Sequence, residues 1–181
     1  MAKRKAAGTR IADAVLASLQ NGSAPYWTES GETQWVTPVT FQRSSVPEAQ
    51  KEKIQVAKCF IMLGGLEGHV HDRAWEYLRY TVAIGVMRSI GINSASRESD
   101  IDDCVSLAEQ IQDFLCWDSQ QTLTLPAVLD GNSIEIQPAH SARLILPFEN
   151  NPIYDPQMLR TDGIFMSVTN FVYHFEKLRY P

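Results

Sequence analysis

Apolar side chains recur every three or four positions in two segments of the chain, and this period predicts two amphipathic helices. The first segment covers residues 9–21 and the second covers residues 100–115. Ser99 stands three positions before Asp102, a short variant of the capping box, and the helix dipole favours acidic residues in the first turn. The apolar positions that define the two stripes are Ile11, Val15, Leu16 and Leu19, then Ile101, Cys104, Val105, Ala108, Ile111 and Leu115.

Strands are marked by a period of two or by runs of β-branched and aromatic residues. Residues 53–63 and residues 75–90 predict two strands, and the glycine-rich residues 64–72 between them predict a turn, so we expect a hairpin or an adjacent antiparallel pair. Residues 33–43 also have strand composition, but Pro38 cannot donate a ladder hydrogen bond, which predicts an edge strand or an extended arm. Alternation in the second strand assigns Leu78, Tyr80, Val82, Ile84 and Val86 to a core face, and Arg79, Thr81, Ala83 and Gly85 to a more accessible face.

The chain closes on a strand that is apolar on both faces. Residues 154–163 predict a turn or a single turn of helix, and residues 164–175 predict the strand. A sheet with one solvated face alternates apolar with polar residues, so the second face needs a cover: a loop, the first helix or another subunit. The two alternating sets are Phe165, Phe171, Tyr173 and Phe175, and Ile164, Met166, Val168 and Val172.

The order of helix, strands, helix and strands indicates the α+β class. We expect a mostly antiparallel sheet, with an N-terminal helix and one main amphipathic helix packed on one face. The length of 181 residues favours a single domain over residues 1–181, with a flexible segment at residues 1–8. Residues 120–152 predict short strands around an Asp-Gly-Asn turn, and they form either an insertion or a hairpin that contacts another subunit.

Composition removes several classes of function. Hydrophobic residues make up 44% of the chain, and the net charge of −5 argues against a general nucleic-acid binder. No stretch reaches the roughly 18 apolar residues that span a bilayer, and the basic start lacks the apolar run of a secretory signal, so we expect a soluble protein. We expect the basic residues Lys3, Arg4, Lys5 and Arg10 to be solubilising charge, with contact to an acidic partner or nucleic acid as the alternative.

Few side chains are candidates for chemistry. His69, His71 and Asp72 could share a metal ion, with His140 and His174 as further ligands, although solvated loop histidines explain the same residues. The three cysteines lack disulfide spacing, so we expect reduced thiols. The glycines near residue 65 lack the lysine of a phosphate loop, and no motif of a serine hydrolase, zinc protease or redox dithiol occurs. We therefore predict no catalytic residue, no cofactor and no metal site.

The order and spacing of these elements resemble the tail terminator, or tail completion, proteins of long-tailed bacteriophages. The resemblance covers about residues 9–175 and rests on five segments. The fourth is similar to an E-x-I-x-D-x-L helix of the family, and the fifth to its Tyr-Asp-Pro, Leu and Phe-x-Ser positions before an alternating strand. Residues 120–152 have no counterpart in that pattern. The segments are TRIADAVLASL, KIQVAKCFIML, DRAWEYLRYTVAIGVMRSI, DIDDCVSLAEQIQDFL and YDPQMLRTDGIFMSVTNFVYHF.

The resemblance implies a virion structural protein and not an enzyme. Such a protein forms a ring of identical subunits, commonly a hexamer, which caps the head-proximal end of the tail tube. The ring stops polymerisation of the tube protein and joins the head connector or neck proteins. DNA passes through its lumen without specific binding, which suits an acidic chain. Assembly takes place in the host cytoplasm, away from any membrane.

Two alternatives to a terminator stay open from the sequence. A head–tail connector or neck protein belongs to the same structural class. A small cytosolic metal-binding enzyme or binding module would instead use the histidine loop at residues 69–72.

A ring needs a head-to-tail contact between two different surfaces of neighbouring subunits, and apolar strand faces and edges can supply them. The residues that we predict as candidates for subunit contacts lie on three elements, and ordinary core packing is the alternative role for each. They are Trp35 and Phe41 on the proline-containing arm, Arg79 and Thr81 on the central strand, and Phe165, Phe171 and Tyr173 on the last strand.

Overall fold

The computed structural model describes residues 5–21, 35–44, 55–70, 75–91, 95–116, 121–145 and 155–178. Three helices and eight strands occur in these residues, and none of these helices is long and apolar enough to cross a membrane. In chain order the elements are α1 (Ala7–Asn21), β1 (Val39–Arg43), β2 (Ala57–Val70), β3 (Trp75–Ser89), α2 (Arg97–Cys116), β4 (Thr122–Leu125), β5 (Val128–Leu129), β6 (Glu135–Gln137), β7 (His140–Leu144), α3 (Pro156–Asp162) and β8 (Ile164–Leu178).

Six strands form one sheet in the order β1-β2-β3-β8-β7-β4. The pairs are antiparallel except for β1 and β2, which run parallel, and β1 takes the edge position that Pro38 predicts. Helix α1 contacts both edge strands, β1 and β4, because the sheet curls around it. Strands β5 and β6 form a separate ribbon. The predicted α+β class with a mostly antiparallel sheet is confirmed.

The main core lies between the sheet and helices α1 and α2, on what we call the inner face of the sheet. The predicted core face of β3 is confirmed, since its even-numbered residues from Leu78 to Val86 are buried. Gly8 lets α1 approach the sheet closely, because a Cβ atom there would lie 2.8 Å from Cδ1 of Tyr80. The helices contribute Ile11, Ala12, Val15 and Leu19 from α1, and Cys104, Leu107, Ala108, Ile111, Phe114 and Leu115 from α2.

The hairpin of β2 and β3 is longer than the sequence predicts. The glycine-rich segment after Leu63 was predicted to be a turn, but β2 continues through it to Val70 and stays paired with β3. Strand β3 offers backbone hydrogen-bonding groups along its whole length, and the ladder accommodates the glycines as an irregularity between Leu63 and Leu66. The turn prediction for these glycines was therefore wrong.

The N-terminal segment is held by a side chain from the other half of the chain. The backbone N–H of Lys5 donates to the Gln137 side-chain oxygen at 2.9 Å, and the Gln137 amide donates back to the Lys5 carbonyl at 2.9 Å. Helix α1 then begins at Ala7. The flexible segment predicted over residues 1–8 is thus an ordered part of the fold from Lys5 onward, while residues 1–4 lie outside the described residues.

Helix α3 ends immediately before the last strand and is defined by its two caps. The Asp155 carboxylate accepts a hydrogen bond from the Gln157 N–H at 2.8 Å, and Pro156 occupies the first turn, where its missing N–H costs nothing. Gly163 ends the helix in the left-handed conformation, with a φ of 63°. Leu159 packs into the main core, so α3 directs β8 back along β3.

The hydroxyl of Tyr173 is buried and has no hydrogen-bond partner within the part of the chain that the structure describes. Burial also raises the pKa of this phenol above its usual range, so the group stays neutral. A buried hydroxyl without a partner costs about 1–3 kcal/mol. We therefore expect Tyr173→Phe to raise the free energy of unfolding by about 1 kcal/mol, measured by urea denaturation. A clear loss of stability would show that the hydroxyl has a partner.

Candidate interaction surface

The face of the sheet that points away from α1 and α2, here called the outer face, has a hydrophobic cluster of its own. The cluster is separate from the main core because alternate residues of a strand point to opposite faces. The pairing of β2, β3 and β8 brings its members side by side. Phe60, Met87, Ile164 and Met166 form this cluster. We call the surface around Gly85 the methionine patch, and it consists of Phe60, Met62, Met87, Met166 and Val168.

The methionine patch is only partly covered. Phe60 and Met87 are 2% exposed, whereas Met62, Met166 and Val168 are half-buried. Gly85 leaves a hollow of about 10 Å³, next to the methyl groups of Met62 and Val168. Flexible methionine side chains adapt to different apolar surfaces and are common in binding sites. The patch therefore has the character of a docking surface.

A row of polar residues crosses the same face further along the strands. The pairing registers place Arg79 of β3 beside His174 of β8, and His174 beside Arg143 of β7. The Arg79 Nε donates to His174 Nε2 at 3.1 Å, so His174 accepts with an unprotonated nitrogen. Glu67 lies opposite Arg79 on β2. We call Arg79, His174 and Arg143 the arginine row.

Two members of the arginine row are available to a partner. The side chains of Arg79 and Arg143 are exposed. The Arg143 side chain makes no hydrogen bond or ion pair within the described part of the chain, and no signal in its short strand marks it as a site. Its proximity to Arg79 depends on the strand order β3-β8-β7, which the sequence alone does not give.

A groove of about 830 Å³ lies between α1 and strands β4 and β5. At one end of it Arg10 is 6% exposed, and its guanidinium donates to three backbone carbonyls, those of Leu125, Pro126 and Pro138, at 3.2, 2.8 and 2.7 Å. Arg10 therefore ties α1 to the segment around the β5–β6 ribbon. The expectation of a solubilising basic residue is wrong for Arg10.

The cysteines have the properties of buried structural thiols. Cys59 and Cys104 are buried and Cys116 is half-buried, and all three are free. Burial raises the pKa of Cys104 to about 11 and that of Cys116 to about 11. A thiol needs its thiolate form to act as a nucleophile, and these pKa values keep the thiols protonated near neutral pH.

The histidines do not assemble a metal site within the described residues. His140 packs against the ring of Phe175 on the inner face, with ring centres 5.2 Å apart, whereas His174 lies on the outer face. Burial lowers the pKa of His140, and the nearby Arg10 lowers it further. His71 and Asp72 lie outside the described residues, and no group of three or more possible metal ligands occurs within them.

The proline-containing arm packs on its own chain. Trp35 and Phe41 are half-buried, with their ring centres 5.3 Å apart, and Trp35 meets the edge of Phe114 from α2 at 5.8 Å. The Val36 N–H donates to the side-chain oxygen of Gln110 at 2.9 Å. Trp35 thus covers the end of α2 in the same subunit, and Phe41 packs against Trp35.

The remaining predicted contact residues divide between the two faces of the sheet. Phe165, Phe171 and Tyr173 are 0% exposed on the inner face, which removes them from any surface that a second subunit could reach. Arg79 and Thr81 lie on the outer face, where Arg79 is exposed and Thr81 is half-buried. Only these two of the five strand candidates are placed where a partner can bind.

Comparisons with known proteins do not identify a function for this chain. No protein-family model matches the sequence, and no curated protein matches it. Nine chains of solved structures match. One of them is 12% identical, with 93% of this chain and 96% of that chain covered and a TM-score of 0.33. A likeness at that level carries no argument about function.

Proposed function

We propose that this chain is a tail terminator of a long-tailed bacteriophage. It is a virion structural protein that forms a ring on the head-proximal end of the tail tube, stops tube polymerisation and presents the surface that joins the head connector. The proposal begins from the resemblance of the segments between residues 9 and 175 to that family.

The observation in the structure that supports an assembly role is the outer face of the sheet. Its methionine patch places half-buried apolar side chains, those of Met62, Met166 and Val168, beside the charged arginine row. Interfaces combine an apolar centre with a polar rim, and strands that carry such a face bind other subunits. The raised thiol pKa values give no support to a nucleophile.

The proposal is tested with purified chain and the tail tube protein encoded in the same genome. Light scattering gives the mass of the chain alone and bound to tubes, and electron microscopy gives the length of tubes polymerised in its presence. We expect rings of uniform mass at one end of each tube and shorter tubes as more chain is added. A stable monomer that neither binds tubes nor limits their length would overturn the proposal.

The same experiment separates a terminator from a connector or neck protein. A neck protein would bind the head connector and leave tube length unchanged. The enzyme or binding-module alternative depends on His69 and His71, and replacing both with Ala would abolish a metal-dependent activity but leave tube capping intact.

A further inference from the structure

The exposed charges of the described residues are distributed unevenly between the two sides of the molecule. On the helical side, Glu98, Asp102 and Glu109 of α2 are exposed. Residues four and seven positions apart share a helix face, so these carboxylates form one acidic stripe, which continues to Asp113. At 1.5 Å per residue the stripe is about 22 Å long.

The opposite side of the molecule has the complementary charge. The outer face carries the exposed Arg79 and Arg143 and the half-buried Lys58, against two exposed carboxylates, Glu67 and Glu176, which leaves a net of one positive charge. The cations lie on both sides of the methionine patch, with Lys58 at one end and the arginine row at the other. From Met166 to His174 this face extends about 27 Å along β8, close to the length of the acidic stripe.

We infer that α2 of one copy of this chain docks on the outer sheet face of the next copy. The inference rests on the proposed ring, for which it names the two surfaces in contact. Ile101 and Val105 are half-buried beside the acidic stripe, and they supply apolar surface to meet the methionine patch. The acidic stripe lies against the cations at the ends of the patch.

Docking of this kind joins two different surfaces, so a docked pair keeps a free sheet side on one copy and a free helical side on the other. Such a head-to-tail contact repeats from copy to copy and closes into a ring when the rotation allows. An isologous dimer would instead use the same patch on both copies. The layered fold, with helices α1 and α2 on the inner face, therefore supplies both halves of a ring contact.

Charge reversal tests the pairing of the two surfaces. We expect Arg143→Glu and Glu109→Arg each to weaken self-association of the purified chain at least tenfold, measured by sedimentation velocity, because like charges brought together in an interface cost several kcal/mol. Mixing the two variants should restore association, since each supplies the intact surface that the other lacks and the two reversed surfaces attract. The matched controls are Arg160→Glu and Glu135→Arg, which reverse exposed charges elsewhere and should leave association unchanged.

The outcomes separate this inference from the function on which it rests. Wild-type rings that cap tubes, with Arg143→Glu rings equally stable, would overturn the docking inference and leave the terminator proposal standing. If Arg143→Glu rings are stable but no longer bind tubes, the outer face binds the tube subunit, and the docking inference is overturned as well. Wild-type chain that stays monomeric in solution and on tubes would overturn both.

Discussion

Phe171→Ala is expected to lower the free energy of unfolding by about 3–5 kcal/mol. The ring of Phe171 is 0% exposed on the inner face of β8, and the hollow beside it, lined by Ile84 and Ile111 among others, has room for only about 10 Å³. Truncation therefore removes a buried aromatic side chain and leaves a cavity that tightly packed neighbours cannot fill. The urea midpoint should fall, with the m-value unchanged.

The matched control is the next residue along the strand. Val172 points to the outer face and is half-buried, so Val172→Ala should lower the free energy of unfolding by about 1 kcal/mol or less. Both variants are measured at two protein concentrations, because stability gained from association depends on concentration and stability of the core does not. If Phe171→Ala only dissociated an oligomer and left monomer unfolding unchanged, Phe171 would be a subunit contact and its placement in the core would be wrong.

Phe171 also shows how far the sequence predicts this fold. A period of 3.6 or 2 is a local property, so the pattern predicts α1, α2 and β3 with their buried positions, and β8 as a strand. On β8 both sets of alternating residues are apolar, and periodicity then cannot say which set faces the helices. The structure assigns the odd-numbered set, with Phe171, to the core, and leaves Met166 and Val168 on the outer face.

The candidate interaction surface depends on pairing between distant segments. Arg79, His174 and Arg143 come from three strands, and only the register β3-β8-β7 brings them into one row. The segment that contains Arg143 was predicted as an insertion or a hairpin, whereas β4 and β7 within it extend the main sheet. Local patterns carry no information about such long-range neighbours, so the sequence singled out Arg79 but not Arg143.

The role of Arg10 differs most from what the sequence predicts. Its position in a basic N-terminal segment indicates solubilising charge, because lysines and arginines near a terminus are usually solvated. In the structure Arg10 is 6% exposed, and its Nη2 donates to the backbone carbonyls of Leu125, Pro126 and Pro138. All three hydrogen bonds come from this one nitrogen, whose two N–H groups are shared among the three carbonyls.

Arg10→Met is therefore expected to lower the free energy of unfolding by about 2–3 kcal/mol, since methionine fills similar volume but leaves the three carbonyls without a donor. Arg10→Lys keeps the charge and should lose about half as much. The exposed Arg160→Met is the control and should change stability by less than about 0.5 kcal/mol.

The loss of stability in Arg10→Met should also be confined to one part of the fold. Amide hydrogen exchange in residues 121–138 should accelerate in Arg10→Met more than exchange in β3, because the β4 edge and the β5–β6 ribbon lose their tie to α1. Uniform acceleration across the sheet would mean that Arg10 supports the whole core and not this segment. Unchanged exchange together with unchanged stability would show that water replaces the guanidinium at the three carbonyls, since they lie beside an open groove.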